Sequence, residues 1–406
     1  MKYQNNTETE KLSIFKKIII GMQMLFVAFG AVVLVPLLVG IDPAVALFTA
    51  GCGTLIFHFI TKGKVPVFLG SSFVFIAPVI KATELYGYPG ALGGLMAVGI
   101  VYMIMSFIVK RNGAGFLSKL FPPIVVGPVI MIIGMSLAST GVGMANNNWL
   151  LASIALITAI SVVVFGKGTV KLLPVIIGLI VSYIAAIVLR LVDFTKLINA
   201  PWFSIPQFAT PVFNINAILF LIPVAIAPII EHIGDMYAIS KATNTNFVKN
   251  PGLSRTMFGD GCATFFSGLV GGTPTTTYSE VTGAIILTKL KDPVILRIAA
   301  ITAICFAFLG KITGFLYTIP QAILGGMMLL LFGMITIVGI KTLIESKTNL
   351  NHTKNMVIVA VMLTIGVGGA MISFGDFMFG GVALASVIGI TLNQILPDKE
   401  KDLRTI

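Results

Sequence analysis

The chain has 406 residues, of which 57% are hydrophobic and only 10% charged, and its mean hydropathy is +1.02. These values exclude a soluble or disordered protein and indicate a polytopic membrane protein. The net charge of +12 would suit nucleic acid, but the placement of the basic residues described below excludes that reading.

The polar, basic segment Met1–Lys17 precedes the apolar run Ile18–Val39. That run is too long for a signal-peptide core and lacks a small-residue cleavage site, so it is expected to be a retained first span. Apolar runs of membrane length then follow, giving spans at 18–40, 43–60, 65–80, 90–109, 122–139, 150–166, 172–189, 214–240, 255–271, 273–288, 293–310, 318–339, 355–373 and 380–396. These fourteen spans predict an all-α polytopic fold with no soluble domain. With the N-terminus inside, 23 of the 27 Lys and Arg face inward, and only Lys81, Arg190, Lys196 and Lys311 face outward. Such a positive-inside bias predicts a multi-pass protein of the cytoplasmic membrane with both termini cytoplasmic. The bilayer is therefore the expected partner, not nucleic acid.

The third span, Val65-Pro66 through Gly70-Ser71-Ser72-Phe73 to Pro78, mixes β-branched residues, prolines and a Gly-Ser-Ser break. The tenth, Gly272-Thr-Pro-Thr-Thr-Thr-Tyr278-Ser279-Glu280, is interrupted in the same way. Three is to seven as ten is to fourteen, so the chain reads as two seven-span repeats, 18–190 and 214–396. They are joined by an external loop, 191–213, and flanked by cytoplasmic tails, 1–17 and 397–406. An odd number of spans per repeat inverts the second copy. Paired interruptions of this kind mark a midplane site in secondary transporters. Each interrupted segment is expected to enter as a short strand and turn into a half-helix whose free N–H groups face the site. The loop 191–213 carries Trp202, suited to interfacial anchoring, and Tyr237–Pro251 is expected to be a polar loop.

Three carboxylates fall at membrane depth: Glu231, Asp235 and Glu280. Each costs about 2.5 kcal/mol or more there, so each needs a partner or a task. Glu231 and Asp235 are spaced i,i+4 on one helix face. Glu231 and Glu280 suit binding of a polar, planar substrate with proton exchange; for Asp235 a structural or water-facing role competes. His232 points about 100° away from Glu231 and is expected to bond a neighbouring helix. Asp260, among glycines, is not expected to touch substrate, and His58 and His352 group with no other metal ligand. Phe73 and Tyr278 flank the two breaks, where an aromatic side chain can stack on a flat ring. The cysteines Cys52, Cys262 and Cys305 lie in apolar runs with neither disulfide nor metal spacing. No nucleotide loop and no nucleophile–base pattern appears, so neither an enzyme nor a cofactor is expected.

The motifs Glu231-His-Ile-Gly-Asp235, Asn250-Pro-Gly-Leu-Ser-Arg255 and Gly272-Thr-Pro-Thr-Thr-Thr-Tyr278-Ser-Glu280 resemble the nucleobase–ascorbate transporters, also called nucleobase:cation symporter-2. Within that family they are most similar to bacterial uracil permeases. Gly70-Ser-Ser-Phe73 and Phe29-Gly-Ala31-Val fit as well, and the likeness runs in order along nearly the whole chain. The resemblance implies seven-plus-seven inverted repeats split into core and gate domains, and a homodimer. It also implies base binding by Glu231, with Glu280, Tyr278, Ser279, the amide of Phe73 and the small residue Ala31 around it. Two positions depart from the family: Gln23-Met24 where Gln-His is common, and Val281 where Asn is usual. The expected function is proton-coupled import of a nucleobase, uracil first and xanthine or uric acid second. Proton exchange is assigned to Glu231, Asp235 and Glu280. An anion carrier of the related sulfate/bicarbonate fold is the other transporter reading, and two carboxylates at the site argue against it.

Overall fold

The computed structural model describes residues 13–113, 115, 121–288, 291–374 and 377–397. The outer parts of both tails, Lys119, Lys289 and the side chains of Ala31, Ser279 and Glu280 lie outside the described residues.

Helix α1 spans Ile14–Val39, and α2 spans Pro43–Ile60 behind an Asp42 cap that accepts from the Ala44 amide at 2.9 Å. Strand β1 (Leu69–Ser71) runs through a single tight turn, Phe73–Phe75, into α3 (Ile76–Asn112). Where the sequence suggests a loop between the third and fourth spans, α3 continues to Gly87, whose φ of 74° breaks it sharply. Only a residue without a Cβ takes that conformation freely. Pro89 then restarts the helix.

There follow α4 (Pro123–Ser136), α5 (Ala138–Ala145), α6 (Trp149–Phe165), α7 (Pro174–Val188) and the short external α8 (Thr195–Asn199). Next, α9 (Ile215–Leu221) passes through a turn at Pro223 into α10 (Ile226–Thr243). The polar stretch that the sequence suggests as a loop from Tyr237 is helical up to Thr243, because Ile239 is buried. Ser240 and Thr243 return their hydroxyls to the carbonyls of Met236 and Ile239. The helix stops at Asn244, with φ 55°.

Helix α11 spans Leu253–Val270, strand β2 Thr275–Thr277, α12 Ser279–Thr288 and α13 Pro293–Ala307. The chain continues through α14 (Gly310–Leu316), α15 (Gln321–Glu345) and α16 (Thr353–Val367). It ends with the hairpin β3 (Met371–Phe374) and β4 (Phe377–Gly380), then α17 (Gly381–Ile395). The run expected as helix to residue 373 ends early at Gly368-Gly369, where φ of 66° at Gly369 turns the chain into the hairpin.

Among the described residues six helical stretches are long and apolar enough to cross a membrane: Ile14–Val39, Pro43–Ile60, Phe73–Asn112, Pro123–Ala145, Ile215–Thr243 and Gln321–Glu345. Five shorter apolar helices accompany them. The helices pack in two groups. One joins α1, α2, α3, α9, α11 and α13; the other joins α4 to α7 with α15, α16 and α17. Each group draws on both halves of the chain. The largest apolar cluster lies mainly in the first group, and the ring of Phe73 packs against clusters from both.

Candidate transport site

At the centre of the first group β1 and β2 pair antiparallel, Leu69 opposite Thr277, Gly70 opposite Thr276 and Ser71 opposite Thr275. A two-stranded ribbon surrounded by helices leaves two backbone edges to satisfy, and at membrane depth water does not do it. Hydroxyl groups do it here. Thr54 of α2 accepts from the Leu69 amide at 2.9 Å and donates to the Leu69 carbonyl at 3.3 Å. Thr264 of α11 donates to the Thr275 carbonyl at 2.9 Å, and Ser267 donates to that of Thr273. Ser71 and Thr273 share a hydroxyl–hydroxyl bond of 2.6 Å. These threonines and serines explain why a sequence so apolar keeps a run of hydroxyl residues in this place.

The ribbon fixes the starts of two half-helices. The chain leaves β1 at Phe73 and β2 at Ser279, and helix starts carry amides with no partner in a preceding turn. Tyr278 closes the ribbon. Its amide donates to the Phe68 carbonyl at 3.2 Å and its hydroxyl to the Ser71 carbonyl at 2.8 Å. Its ring lies against Gly70, where any Cβ would come within 2.5 Å of it. The ring is 4% exposed, so Tyr278 braces the strands from within. Phe73, half-buried, lies where α1, α3 and α15 meet beside Leu137.

Helix α10 runs beside the ribbon. Asp235 is buried and accepts a 2.5 Å hydrogen bond from Thr277 Oγ1 of β2. Glu231, one turn earlier, is exposed, and the position of Gly234 beside it faces open space. His232 is fully buried and turned away, with Nε2 3.0 Å from Thr256 Oγ1 and Nδ1 3.0 Å from Asp260 Oδ2, both on α11. The inter-helix role expected of His232 is therefore what the structure gives it. Sequence reasoning missed Thr277 as the partner of Asp235, and Thr256 and Asp260 as those of His232. The run Thr275–Thr277 was the available signal, since a hydroxyl row beside a membrane-depth carboxylate supplies donors. His58 bonds the Val67 carbonyl at 2.9 Å, and among the described residues no cluster suits a metal ion.

A mainly helical, multi-pass membrane protein whose two broken segments pair at its centre has the architecture of a secondary transporter. A family model with the description "Permease family" (Xan_ur_permease) matches residues 15–373. The chain belongs to that family, the nucleobase–ascorbate transporters that its motifs resemble. It is 46% identical over 403 residues to a "Probable uracil permease" of Haemophilus influenzae, covering 97% of each chain. It is 42% identical to the "Uracil permease" of Bacillus caldolyticus, covering 94% of this chain and 92% of that one. Its fold is similar to that of SLC26A9, with a TM-score of 0.69 at 12% identity over 95% of this chain and 66% of that chain. It is likewise similar to the transmembrane domain of the cyanobacterial bicarbonate transporter BicA, at 0.64 and 14% over 97% and 98%.

Proposed function

We propose that the chain imports a nucleobase, uracil before xanthine or uric acid, by proton symport across the cytoplasmic membrane. The observation that carries this reading is the exposure of Glu231 at membrane depth beside the paired strands. A pyrimidine dione is neutral and planar, with N–H donors and C=O acceptors on its rim. Glu231 and Glu280 supply acceptors, and the half-helix amides at Phe73 and Ser279 supply donors. Tyr278 braces the ribbon that presents them, and Ala31 is the small residue that the family resemblance assigns to the ring. Relatives that carry the name uracil permease along almost their full length support the choice of base. The likeness to anion transporters concerns the fold alone, and a carboxylate at the site opposes an anionic substrate.

In this reading the transported proton resides among Glu231, Asp235 and Glu280. A protonated carboxyl is neutral and far cheaper to carry through a low-dielectric barrier. The two helix groups act as core and gate, and the residue ranges 18–190 and 214–396 as inverted seven-span repeats. Counting each broken segment and each side of Gly87 as a span supports fourteen spans, with both termini cytoplasmic. The protomers pair as a homodimer, and no cofactor takes part. Uptake of labelled uracil should rise as external pH falls from about 8 to about 6, the range into which burial lifts a carboxyl pKa. It should collapse with a protonophore and ignore removal of sodium. Competition by xanthine, uric acid and thymine ranks the bases. Sodium-dependent uptake indifferent to pH would refute proton coupling, and failure to bind any base would refute the site.

A further inference from the structure

Among the described residues the side chains of His232 and Asp260 are partnered with each other and with Thr256, outside the proposed substrate site, yet both are 0% exposed. Thr256 donates its own proton to the Leu253 carbonyl at 2.9 Å, so its oxygen accepts from His232 Nε2–H. The other nitrogen, Nδ1, lies 3.0 Å from Asp260 Oδ2, close enough to share one proton although the two groups are not aligned as a regular hydrogen bond. Whether the proton sits on nitrogen or oxygen, the pair is neutral as a unit. This makes it tolerable where a lone carboxylate would not be. The edge of Phe57 lies against the imidazole, with ring centroids 6.5 Å apart.

Asp260 stands on a rigid wall. A Cβ at Gly259 would be 3.0 Å from the Phe57 ring, and one at Gly261 would be 2.8 Å from the Gly99 carbonyl, so α11 is pressed directly onto α2 and α3. On the other side, α10 is tied to α11 through His232 and to β2 through Asp235, three residues later. These two ties leave the helix little freedom to turn.

The rotation of α10 matters because of where Glu231 lies on it. At about 100° per residue, Glu231, Gly234, Tyr237, Ala238 and Lys241 cover one continuous exposed arc, while Asp235, Ile239, His232 and Met236 cover the adjoining buried arc. Glu231 is the last residue of the exposed arc, and Asp235 the first of the buried one, about 40° further round. A turn of that size in one sense would carry Glu231 into the buried arc, and in the other would bring Asp235 to the place that Glu231 holds.

We propose that the His232–Asp260 pair, seated on Thr256, is the rotational lock of α10. It acts on Glu231 as a positioning pair, touching neither base nor transported proton. The consequence for binding rests on the reading of Glu231 given above; the lock itself does not.

The test reads rotation directly. With Cys52, Cys262 and Cys305 replaced by alanine, a single cysteine is placed either at Ala238, exposed, or at Ile239, buried. With the lock intact, a water-soluble maleimide labels the first far faster than the second, without any ligand. His232→Leu and Asp260→Leu, which cannot hydrogen-bond across the contact, should each narrow that ratio in folded protein. Each should also raise the Kd for uracil by about tenfold to a hundredfold, the effect of losing a hydrogen bond to a charged group. The double variant His232→Gln/Asp260→Asn keeps an amide-to-amide hydrogen bond without charge and should restore both. Thr256→Val, the mildest change, should narrow the ratio least. Folded single variants with the parent ratio would overturn the lock. Where a single variant does not fold, Thr256→Val and the double variant decide, and an unmoved ratio in the first or an unrestored one in the second overturns it. Absence of uracil binding by the parent protein would refute the substrate reading alone, because the labelling ratio is measured without ligand.

Discussion

Gly70→Ala probes the ribbon at its tightest point. A Cβ there would sit 2.5 Å from Cζ, 2.7 Å from Cε2 and 2.7 Å from the hydroxyl oxygen of Tyr278. Carbon atoms pack best near about 3.5–4.0 Å, so the ring would have to retreat by about 1 Å. It cannot do so freely, because its hydroxyl is bonded to Ser71, its amide to Phe68, and the ring is 4% exposed. Overpacking of this kind costs about 1–3 kcal/mol, and breaking the Tyr278–Ser71 bond adds about 1 kcal/mol. Losing the glycine from the unfolded ensemble returns about 0.4–1 kcal/mol. The net expectation is a loss of roughly 2–3 kcal/mol, with weaker uracil binding because the starts of both half-helices shift. Equilibrium unfolding in detergent measures the first, and a direct binding assay the second. In a Tyr278→Ala background the obstacle is gone, so the same substitution should cost little, giving a coupling energy above about 1 kcal/mol. Equal cost in both backgrounds, or no cost in either, would show that the ring does not brace the strand.

Glu231→Ala should melt like the parent, within about 0.5 kcal/mol, because the side chain is exposed, yet fail to bind uracil; near-normal affinity would remove Glu231 from the site. Glu231→Gln keeps the shape without the charge and should also bind poorly. Thr277→Val preserves volume while removing the hydroxyl that Asp235 accepts from, so it should lower stability by about 1.5–3 kcal/mol in the same unfolding assay. A cysteine at Asn147 should be labelled from outside intact cells and one at Asn246 should not, both positions being exposed on the protein; the reverse pattern would overturn the orientation.

Much of this architecture was legible because hydropathy and sequence punctuation report strongly on membrane helices. Gly70-Ser-Ser and Gly272-Thr-Pro announced the two breaks, and the strands and half-helices stand where those residues put them. The i,i+1 offset also placed His232 on a different flank from Glu231. What stayed hidden depended on partners far away in the chain. Nothing near Asp235 says that Thr277 will reach it, or that α3 will run unbroken to Gly87. The hairpin β3–β4 was missed because its apolar residues fit a helix equally well; the glycines at 366, 368 and 369 were the warning. The roles of Tyr278 and Phe73 rest on three-dimensional neighbours that no local pattern encodes.

The strand pairing also has a consequence for how the protein is made. Ser71 meets Thr273 across 202 residues of chain, so while the ribosome is still adding the middle spans, β1 has no strand to pair with. Thr54, already synthesised, can quiet the backbone of Leu69, but the β2-facing edge, at Phe68, Gly70 and Ser72, must wait until the second half emerges. Unpaired backbone amides are not tolerated facing lipid. The segment that carries β1 must therefore linger in a wet or chaperoned setting, such as the insertion channel or its protein lining, until Thr275–Thr277 arrives. Final membrane integration of the early spans is thereby tied to completion of the late ones, and a chain truncated before β2 should remain an unfinished insertion intermediate and a ready target for membrane proteases.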